Sequence, residues 1–191
     1  MLRTLLSATL LMALPLSAFA EPSSKEQTVS EIGLADGAVA PEIAAITSDG
    51  TAASLASIAG ENGTILVFVR SADWCPFCKK QLIELESAVA PLKAAGWSLA
   101  ALSYDSPETL AAFKDGNALS YTLLSDEDSS VIRDFALFNE ESKEGSRFYG
   151  IPHPAIVFIG SDGLVKETLR EEGYKDRPPA DLIITTAEGL N

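Results

Sequence analysis

The apolar and polar positions along the chain predict strands and helices in alternation. Residues 64–69 form an apolar run rich in β-branched and aromatic side chains, which is typical of a strand buried on both faces. Residues 97–104 predict a second buried strand, and residues 121–124 predict a short third one. Between and after these runs the pattern predicts helices over residues 76–95, 107–116 and 126–138.

The remaining segments predict how the sheet is completed. They comprise strands over 40–46, 155–159 and 164–169, a helical turn over 54–58 and a terminal helix over 180–190. The turn Ser48-Asp49-Gly50 closes the first of these strands, which is predicted to lie at an edge, and Ser161-Asp162-Gly163 joins the last two as a hairpin. The order of elements predicts an α/β domain with a central mixed β-sheet and helices on both faces.

Proline and glycine residues predict where the helices begin and end. Ser106 and Pro107 suit the N-cap and the first helical position of the helix over 107–116. Gly96 marks the end of the helix over 76–95, and Pro91 inside that helix predicts an earlier end or a kink.

The N-terminal segment predicts export. A positive residue, Arg3, precedes an apolar stretch over 5–16, and Ala18-Phe19-Ala20 fits a signal-peptidase site. We therefore expect a signal peptide over 1–20 that is cleaved after Ala20, and a periplasmic or secreted mature protein. The apolar stretch is short for a membrane span, although an uncleaved anchor is the alternative. An N-terminal arm over 21–39 and one domain over 40–191 would follow.

The composition is strongly acidic, and this excludes some classes of partner. The chain has 27 Asp and Glu residues against 14 Lys and Arg residues, for a net charge of −13. Such a balance argues against nucleic acid and against an anionic membrane surface as binding partners.

The two cysteines of the chain, Cys75 and Cys78, carry its clearest chemistry. They follow a predicted strand and open a predicted helix, where free N–H groups and the helix dipole stabilise a thiolate. Cys75 would be the partly exposed nucleophile, and Cys78, one turn further along, would resolve the mixed disulfide. Pro76 suits the first helical position because its missing N–H is no loss there.

Two other interpretations of the cysteine pair are weaker. A zinc site needs two further ligands, but the chain has no third cysteine and a single histidine. A static disulfide across so short a loop would contribute little chain-entropy stabilisation. We therefore expect a redox pair and neither a metal nor another cofactor.

A second motif, Gly150-Ile151-Pro152-His153-Pro154, precedes the predicted strand over 155–159. With the cysteine pair it makes the chain resemble the thioredoxin-like superfamily, and more closely its redoxin and peroxiredoxin-like (AhpC/TSA) branch, over about residues 40–173. The resemblance implies a thioredoxin-like fold in which a cis-proline, here Pro154 or failing that Pro152, packs against the cysteine pair and orients the substrate.

The resemblance also implies roles for three neighbouring side chains. His153, which precedes the expected cis-proline, would face the cysteine pair and favour the Cys75 thiolate if it were protonated. Trp74 would offer a flat docking surface, and Phe77, between the cysteines, would contact a partner.

Two activities fit this resemblance, and the residues before Cys75 separate them. Peroxiredoxins carry Pro-x-x-x-Thr-x-x-Cys, but here Phe68 and Ala72 occupy the proline and threonine positions. Val69 replaces the buried acid of thioredoxin. The favoured prediction is therefore an exported thiol-disulfide oxidoreductase that acts on protein disulfides or thiols with a redox partner protein. The alternatives are a peroxiredoxin-like peroxidase that reduces hydroperoxides through Cys75, and a non-enzymatic copper-binding or interaction module.

Overall fold

A mixed sheet of seven strands forms the centre of the molecule. The computed structural model describes residues 32–171, 173 and 175–190, so the predicted signal peptide and residues 21–31 of the predicted arm lie outside it. The strands run in the spatial order β2-β1-β5-β4-β3-β6-β7. They are β1 (Ala45–Thr47), β2 (Ala52–Ala53), β3 (Gly63–Phe68), β4 (Trp97–Ser103), β5 (Thr122–Ser125), β6 (Ala155–Gly160) and β7 (Val165–Leu169).

The sheet is parallel at its centre and antiparallel on both sides. Strand β4 pairs in parallel with β3 and β5, whereas β6 and β7 form an antiparallel hairpin beside β3. Every residue of β3 is buried, because neighbouring strands flank it and both of its faces are covered. The predicted mixed sheet and its hairpin are confirmed.

The two faces of the sheet bury separate cores. Alternate residues of β3 point in opposite directions, so Ile65 and Val67 join one core while Leu66 and Phe68 join the other. The first core contains residues of α2 (Pro76–Glu84), α3 (Val89–Ala94), α4 (Pro107–Gly116) and α6 (Ala180–Gly189). The second contains residues of α5 (Ser130–Asp134), and partly buried residues of α1 (Leu55–Ile58) pack against it. Helices therefore cover both faces, as predicted, and none of the helices in the described ranges is long and apolar enough to span a bilayer.

The helix predicted over 76–95 is divided. Helix α2 passes into a 3₁₀ turn, Leu85–Ala88, and then into α3, which ends before Gly96 at φ +78°. Pro91 lies inside α3 and has no N–H to donate to the carbonyl one turn earlier. The irregular turn precedes this proline, so the predicted break is present and lies on the N-terminal side of Pro91.

Two predicted elements differ from the structure in length or place. The helix predicted over 126–138 is reduced to α5, because Ser129 and Ala136 adopt positive φ angles of 59° and 54° at its two ends. The strand predicted over 40–46 is reduced to β1, which is not an edge strand. The turn after it leads into β2, and β2 takes the edge position.

Candidate redox site

The cysteine pair lies where β3 and the loop after it meet α2. Cys75 is the N-cap residue of α2, and its Sγ accepts a hydrogen bond from the N–H of Cys78 at 3.2 Å. Pro76 occupies the first turn, as predicted. The two cysteines form a disulfide with their Cα atoms 5.3 Å apart. A sulfur in this position can be stabilised as a thiolate by the N-terminal N–H groups of the helix.

Both cysteine side chains are buried in this oxidised form. Cys75 is 2% exposed and Cys78 is fully buried. The expected partial exposure of Cys75 is therefore absent, although Cys75 remains the more accessible of the two. Trp74, Pro76 and Phe77 lie at the surface of the site, so the sulfur atoms are recessed beneath their neighbours.

The loop that leads to Cys75 is fixed by a buried carboxylate. Asp105, after the end of β4, accepts hydrogen bonds from Ser71 Oγ (2.8 Å), the Ala72 N–H (2.6 Å) and Ser103 Oγ (2.8 Å). Ser71 Oγ in turn accepts the N–H groups of Asp73 at 2.9 Å and Trp74 at 3.2 Å. The loop over 69–74 is therefore tied to the neighbouring strand immediately before the redox pair.

The indole of Trp74 is engaged by a different part of the chain. Its Nε1 donates to Tyr104 Oη at 2.8 Å, and Tyr104 Oη donates to the Arg147 carbonyl at 2.8 Å. Burial raises the pKa of Tyr104, so the phenol keeps the proton that this second bond needs. Phe148 packs edge-on against the indole at 4.8 Å between ring centroids. The expected docking surface on Trp74 is thus partly covered by the segment over 139–150.

A cavity of about 980 Å³ opens beside the cysteine pair. Its lining includes Trp74, Phe77, His153 and Pro154, so the structure brings together the four substrate-binding or orienting residues predicted from the sequence. Pro76 also lines it, and the cavity therefore reaches both residues between the cysteines. Their predicted roles in binding or orienting a substrate stay predictions.

His153 lies in this cavity as a neutral imidazole at neutral pH. Its pKa is lowered from the ordinary value, first by burial and then by the positive charge of Arg170. Glu141 opposes this shift, and Arg70 adds the smallest lowering effect. The hypothesis that a protonated His153 favours the Cys75 thiolate is therefore not supported. Its backbone N–H donates to the Leu137 carbonyl at 2.7 Å.

The expected cis-proline is absent. All peptide bonds among the described residues are trans, including those before Pro152 and Pro154. Pro152 pairs with Phe138 in an isolated antiparallel bridge, and the chain continues directly into β6. The trans form of a bond before proline is the lower in free energy by about 0.5–1 kcal/mol. Pro154 remains at the cavity wall without the predicted cis bond.

Comparisons with known proteins identify the family. Residues 37–168 match the model of the AhpC/TSA family. This chain belongs to the AhpC/TSA family. It is 32% identical over 148 residues to peroxiredoxin Bcp of Escherichia coli strain K12, a match that covers 78% of this chain and 92% of Bcp. The resemblance predicted over residues 40–173 is confirmed, and the protein is an oxidoreductase of the peroxiredoxin-like kind.

Solved structures show the same fold. Peroxidoxin BcpB from Mycobacterium tuberculosis aligns with a TM-score of 0.67 at 19% identity, covering 83% of this chain and 96% of BcpB. A peroxiredoxin-like protein from Aquifex aeolicus aligns with a TM-score of 0.69 at 19% identity, covering 83% of this chain and 89% of that protein. The predicted thioredoxin-like fold is confirmed.

This member of the AhpC/TSA family departs from the peroxiredoxin motif in structure as well as in sequence. Phe68 is a fully buried residue at the end of β3, and Ala72 offers only its backbone N–H, which is bonded to Asp105. The hydroxyl of the adjacent Ser71 donates to Asp105. None of these side chains supplies the hydroxyl that the family's threonine position provides.

An arginine that the sequence did not single out contacts the redox pair. Arg177, in the segment before α6, donates from its guanidinium to Cys78 Sγ at 3.7 Å. Arg70, Arg147 and Arg170 also line the cavity, so four of the six arginines of this AhpC/TSA chain lie there. The scarcity of arginine in an acidic chain is the only sequence signal that could have drawn attention to them.

Proposed function

We propose that this protein is a thiol peroxidase that reduces hydroperoxides, with Cys75 as the peroxide-reactive sulfur and Cys78 as the resolving cysteine. The observation that carries the proposal is the Cys75 sulfur at the N-cap of α2, hydrogen-bonded to Cys78 N–H and disulfide-bonded to Cys78, in a chain of the AhpC/TSA family. Membership of a family of oxidoreductases also disfavours the non-enzymatic alternative.

The proposed cycle uses both sulfur atoms. The Cys75 thiolate attacks the terminal oxygen of the hydroperoxide, the O–O bond breaks, and the alcohol or water leaves with a proton. Cys75 is then a sulfenic acid, and the Cys78 thiolate attacks its sulfur to form the disulfide. The S–O bond breaks, and the hydroxide leaves as water after taking a proton from solvent. An external thiol reductant returns two electrons to the disulfide. The second step needs little rearrangement, because the Cα atoms of the pair are 5.3 Å apart, within the range of disulfides.

Export of the protein is part of the proposal. The segment over 1–20 has the features of a cleaved signal peptide, and the cysteine pair is suited to chemistry in an oxidising compartment. Expression of the full chain in a Gram-negative bacterium should yield a periplasmic protein whose intact mass begins at Glu21. A cytoplasmic protein that retains Met1 or Leu2 would contradict export and leave the peroxidase proposal in place.

A second candidate function is thiol-disulfide exchange with protein substrates. It is favoured by one observation, namely that the position of the peroxide-binding threonine is Ala72 and the adjacent Ser71 hydroxyl is bonded to Asp105. In this case Cys75 would attack a substrate disulfide and Cys78 would resolve the mixed disulfide.

One kinetic experiment separates the two candidates. The reduced protein is mixed with hydrogen peroxide or cumene hydroperoxide, and the rate at which the Cys75–Cys78 disulfide forms is measured. This rate is compared with the rate at which the reduced protein reduces the disulfides of insulin. The peroxidase proposal predicts peroxide reaction about a thousandfold or more faster than with a free thiol of matched thiolate concentration, abolished in Cys75→Ser. Peroxide reaction at the free-thiol rate, together with rapid insulin reduction, would establish the second candidate instead.

A further inference from the structure

The cavity beside the redox pair concentrates positive charge in an acidic protein. Among the residues that the structure describes, five Lys and Arg residues line it, but only three Asp and Glu residues do. The cations are Arg70, Arg147, Arg170, Arg177 and Lys143, and the anions are Glu141, Glu171 and Asp176. With His153 neutral, the described lining carries a net charge of about +2 by the ordinary charge states of these groups, in a chain whose net charge is −13.

The cavity is built into the fold and is not a loose surface feature. Arg70, 6% exposed, lies two residues after the end of β3. Arg170 follows β7, and its guanidinium donates to the Ile32 carbonyl at 3.4 Å. Both arginines line the cavity together with His153. A concave site with several guanidinium groups favours a ligand with carboxylate groups, since guanidinium and carboxylate match in charge and in hydrogen-bond geometry.

The redox state of the cysteine pair determines which co-substrate binds in this cavity. The structure holds the Cys75–Cys78 pair oxidised, so the cavity described is the one that the reductant encounters. The sulfur atoms are recessed, and the cavity approaches them through Pro76 and Phe77 and through Arg177, which contacts Cys78 Sγ. A small thiol can enter such a cavity without the flat contact area that a protein reductant needs.

We propose that this cavity binds the carboxylate groups of a low-molecular-weight thiol, and that this anionic thiol reduces the Cys75–Cys78 disulfide. The proposal rests on the proposed function, in which each cycle ends with this disulfide. It gives the cationic lining a specific role, because the lining selects the reductant by charge.

The reduction proceeds in two balanced exchange steps. The first thiol, having lost its proton to solvent, attacks Cys75 Sγ, and the Cys75–Cys78 bond breaks with Cys78 leaving as a thiolate. Arg177 lies 3.7 Å from Cys78 Sγ in the oxidised form, a position from which it stabilises this leaving group. A second thiolate attacks the sulfur of the bound thiol, releasing its disulfide and the Cys75 thiolate. Two thiols thus supply two electrons, and both cysteines end reduced.

The test measures only this reductive half-reaction. The oxidised protein is mixed with glutathione, which carries two carboxylates, or with glutathione diethyl ester, which carries none and keeps the same thiol. Thioredoxin with its reductase is a third arm. Rates are divided by the thiolate concentration of each reagent, because the thiol pKa values differ. We expect glutathione to react about tenfold or more faster than its diester, with the ratio falling as salt rises.

Three variants connect that preference to the cavity. Arg147→Gln and Arg170→Gln should each lower the ratio of glutathione to diester rates, and Arg170→Lys should restore most of it because the charge is retained. Arg147 is exposed, so its replacement leaves the core intact if Arg170→Gln folds poorly. Lys93→Gln removes an equal charge from an exposed position on α3 outside the cavity lining and should leave the ratio unchanged.

Three results would overturn the inference. The first is equal rates for glutathione and its diester, and the second is a preference that survives both arginine substitutions. The third is reduction by thioredoxin at least about a hundredfold faster than by glutathione, which would assign the reductant role to a protein dithiol. Each of these results leaves the peroxidase proposal standing if reduced protein still reacts rapidly with hydroperoxide. Slow reaction with peroxide, with the preference for glutathione intact, would contradict the peroxidase proposal and leave the cavity inference standing.

Discussion

The two walls of the redox cavity are held in different ways. The loop over 69–74 is tied to the end of β4 by buried hydrogen bonds to Asp105. The segment over 139–150 lies across the cavity with seven consecutive exposed residues, from 143 to 149. Its contacts with Trp74 and Tyr104 are one aromatic pair and one hydrogen bond. The first wall holds Cys75 in place, and the second is suited to changing its conformation around a ligand.

This difference accords with the division of labour seen in many enzymes. Groups that react need to be held within a fraction of an ångström, and rigid elements with buried supporting bonds do this best. Groups that select a ligand can lie on exposed segments whose opening costs little free energy. In this protein Cys75 follows the firmly bonded wall, whereas Lys143 and Arg147 belong to the exposed one.

Of the substitutions in the two walls, Asp105→Asn should have the largest effect on stability. The amide cannot accept all the hydrogen bonds that the carboxylate accepts from Ser71, Ala72 and Ser103, so a buried donor loses its partner. We expect the free energy of unfolding to fall by about 1–3 kcal/mol in urea titrations, together with slower reaction of Cys75 with peroxide. Asp115→Asn, on the exposed face of α4, is the matched control and should change stability by less than about 0.5 kcal/mol. Equal stability of the two variants would show that the first wall is not held by Asp105.

A smaller effect is expected from Phe148→Ala in the second wall. The side chain is 37% exposed, and its main aromatic contact is the Trp74 ring at 4.8 Å, so its removal should cost about 0.5–1.5 kcal/mol. The sharper readout is hydrogen exchange, which should accelerate over 139–150 and stay unchanged over 64–69. Phe138→Leu serves as a comparison just outside this wall, because Phe138 packs against Tyr149 and under Arg133 and not against Trp74. Acceleration in both regions would mean that the two walls open together.

The smallest expected effect is a pH dependence of stability caused by His153. The backbone N–H of His153 donates to the Leu137 carbonyl. Burial and nearby arginines lower its pKa below the unfolded value of 6.5, so the unfolded chain binds more protons in the window below that value. Stability should therefore be complete above about pH 7 and decline as pH falls through about 6.5 toward the folded pKa. His153 is the single histidine, so urea titrations of wild type and His153→Gln isolate its contribution. A pH profile that is the same in both proteins between 5 and 7.5 would contradict the pKa direction.

Local sequence patterns predicted much of the fold. The buried run over 64–69 and the helix that follows are confirmed as β3 and α2, because strand burial and helix capping depend on residues close together in sequence. The same reasoning placed Cys75 at a helix N-terminus. It was wrong about 126–138, where Asp126 accepts the N–H groups of Val131 and Ile132 and so begins α5 four residues later than the pattern indicated.

The rest of the site depends on distant segments and could not be predicted in this way. Arg177 reaches Cys78 across 99 positions of sequence, and Arg170 reaches Ile32 across 138. Their contacts depend on how the chain after β7 packs beside α2. Asp105 was visible as a residue at a strand end, but its role in holding the loop over 69–74 required the geometry of three separate donors.

The most direct test of the proposed peroxidase function is to trap the first oxidation product of Cys75. The reduced Cys78→Ser variant is treated with one equivalent of hydrogen peroxide in the presence of dimedone and analysed by peptide mass spectrometry. The proposed function predicts one dimedone adduct, on Cys75, formed within seconds and absent from Cys75→Ser. No adduct on Cys75, with peroxide still present and the protein folded, would contradict it.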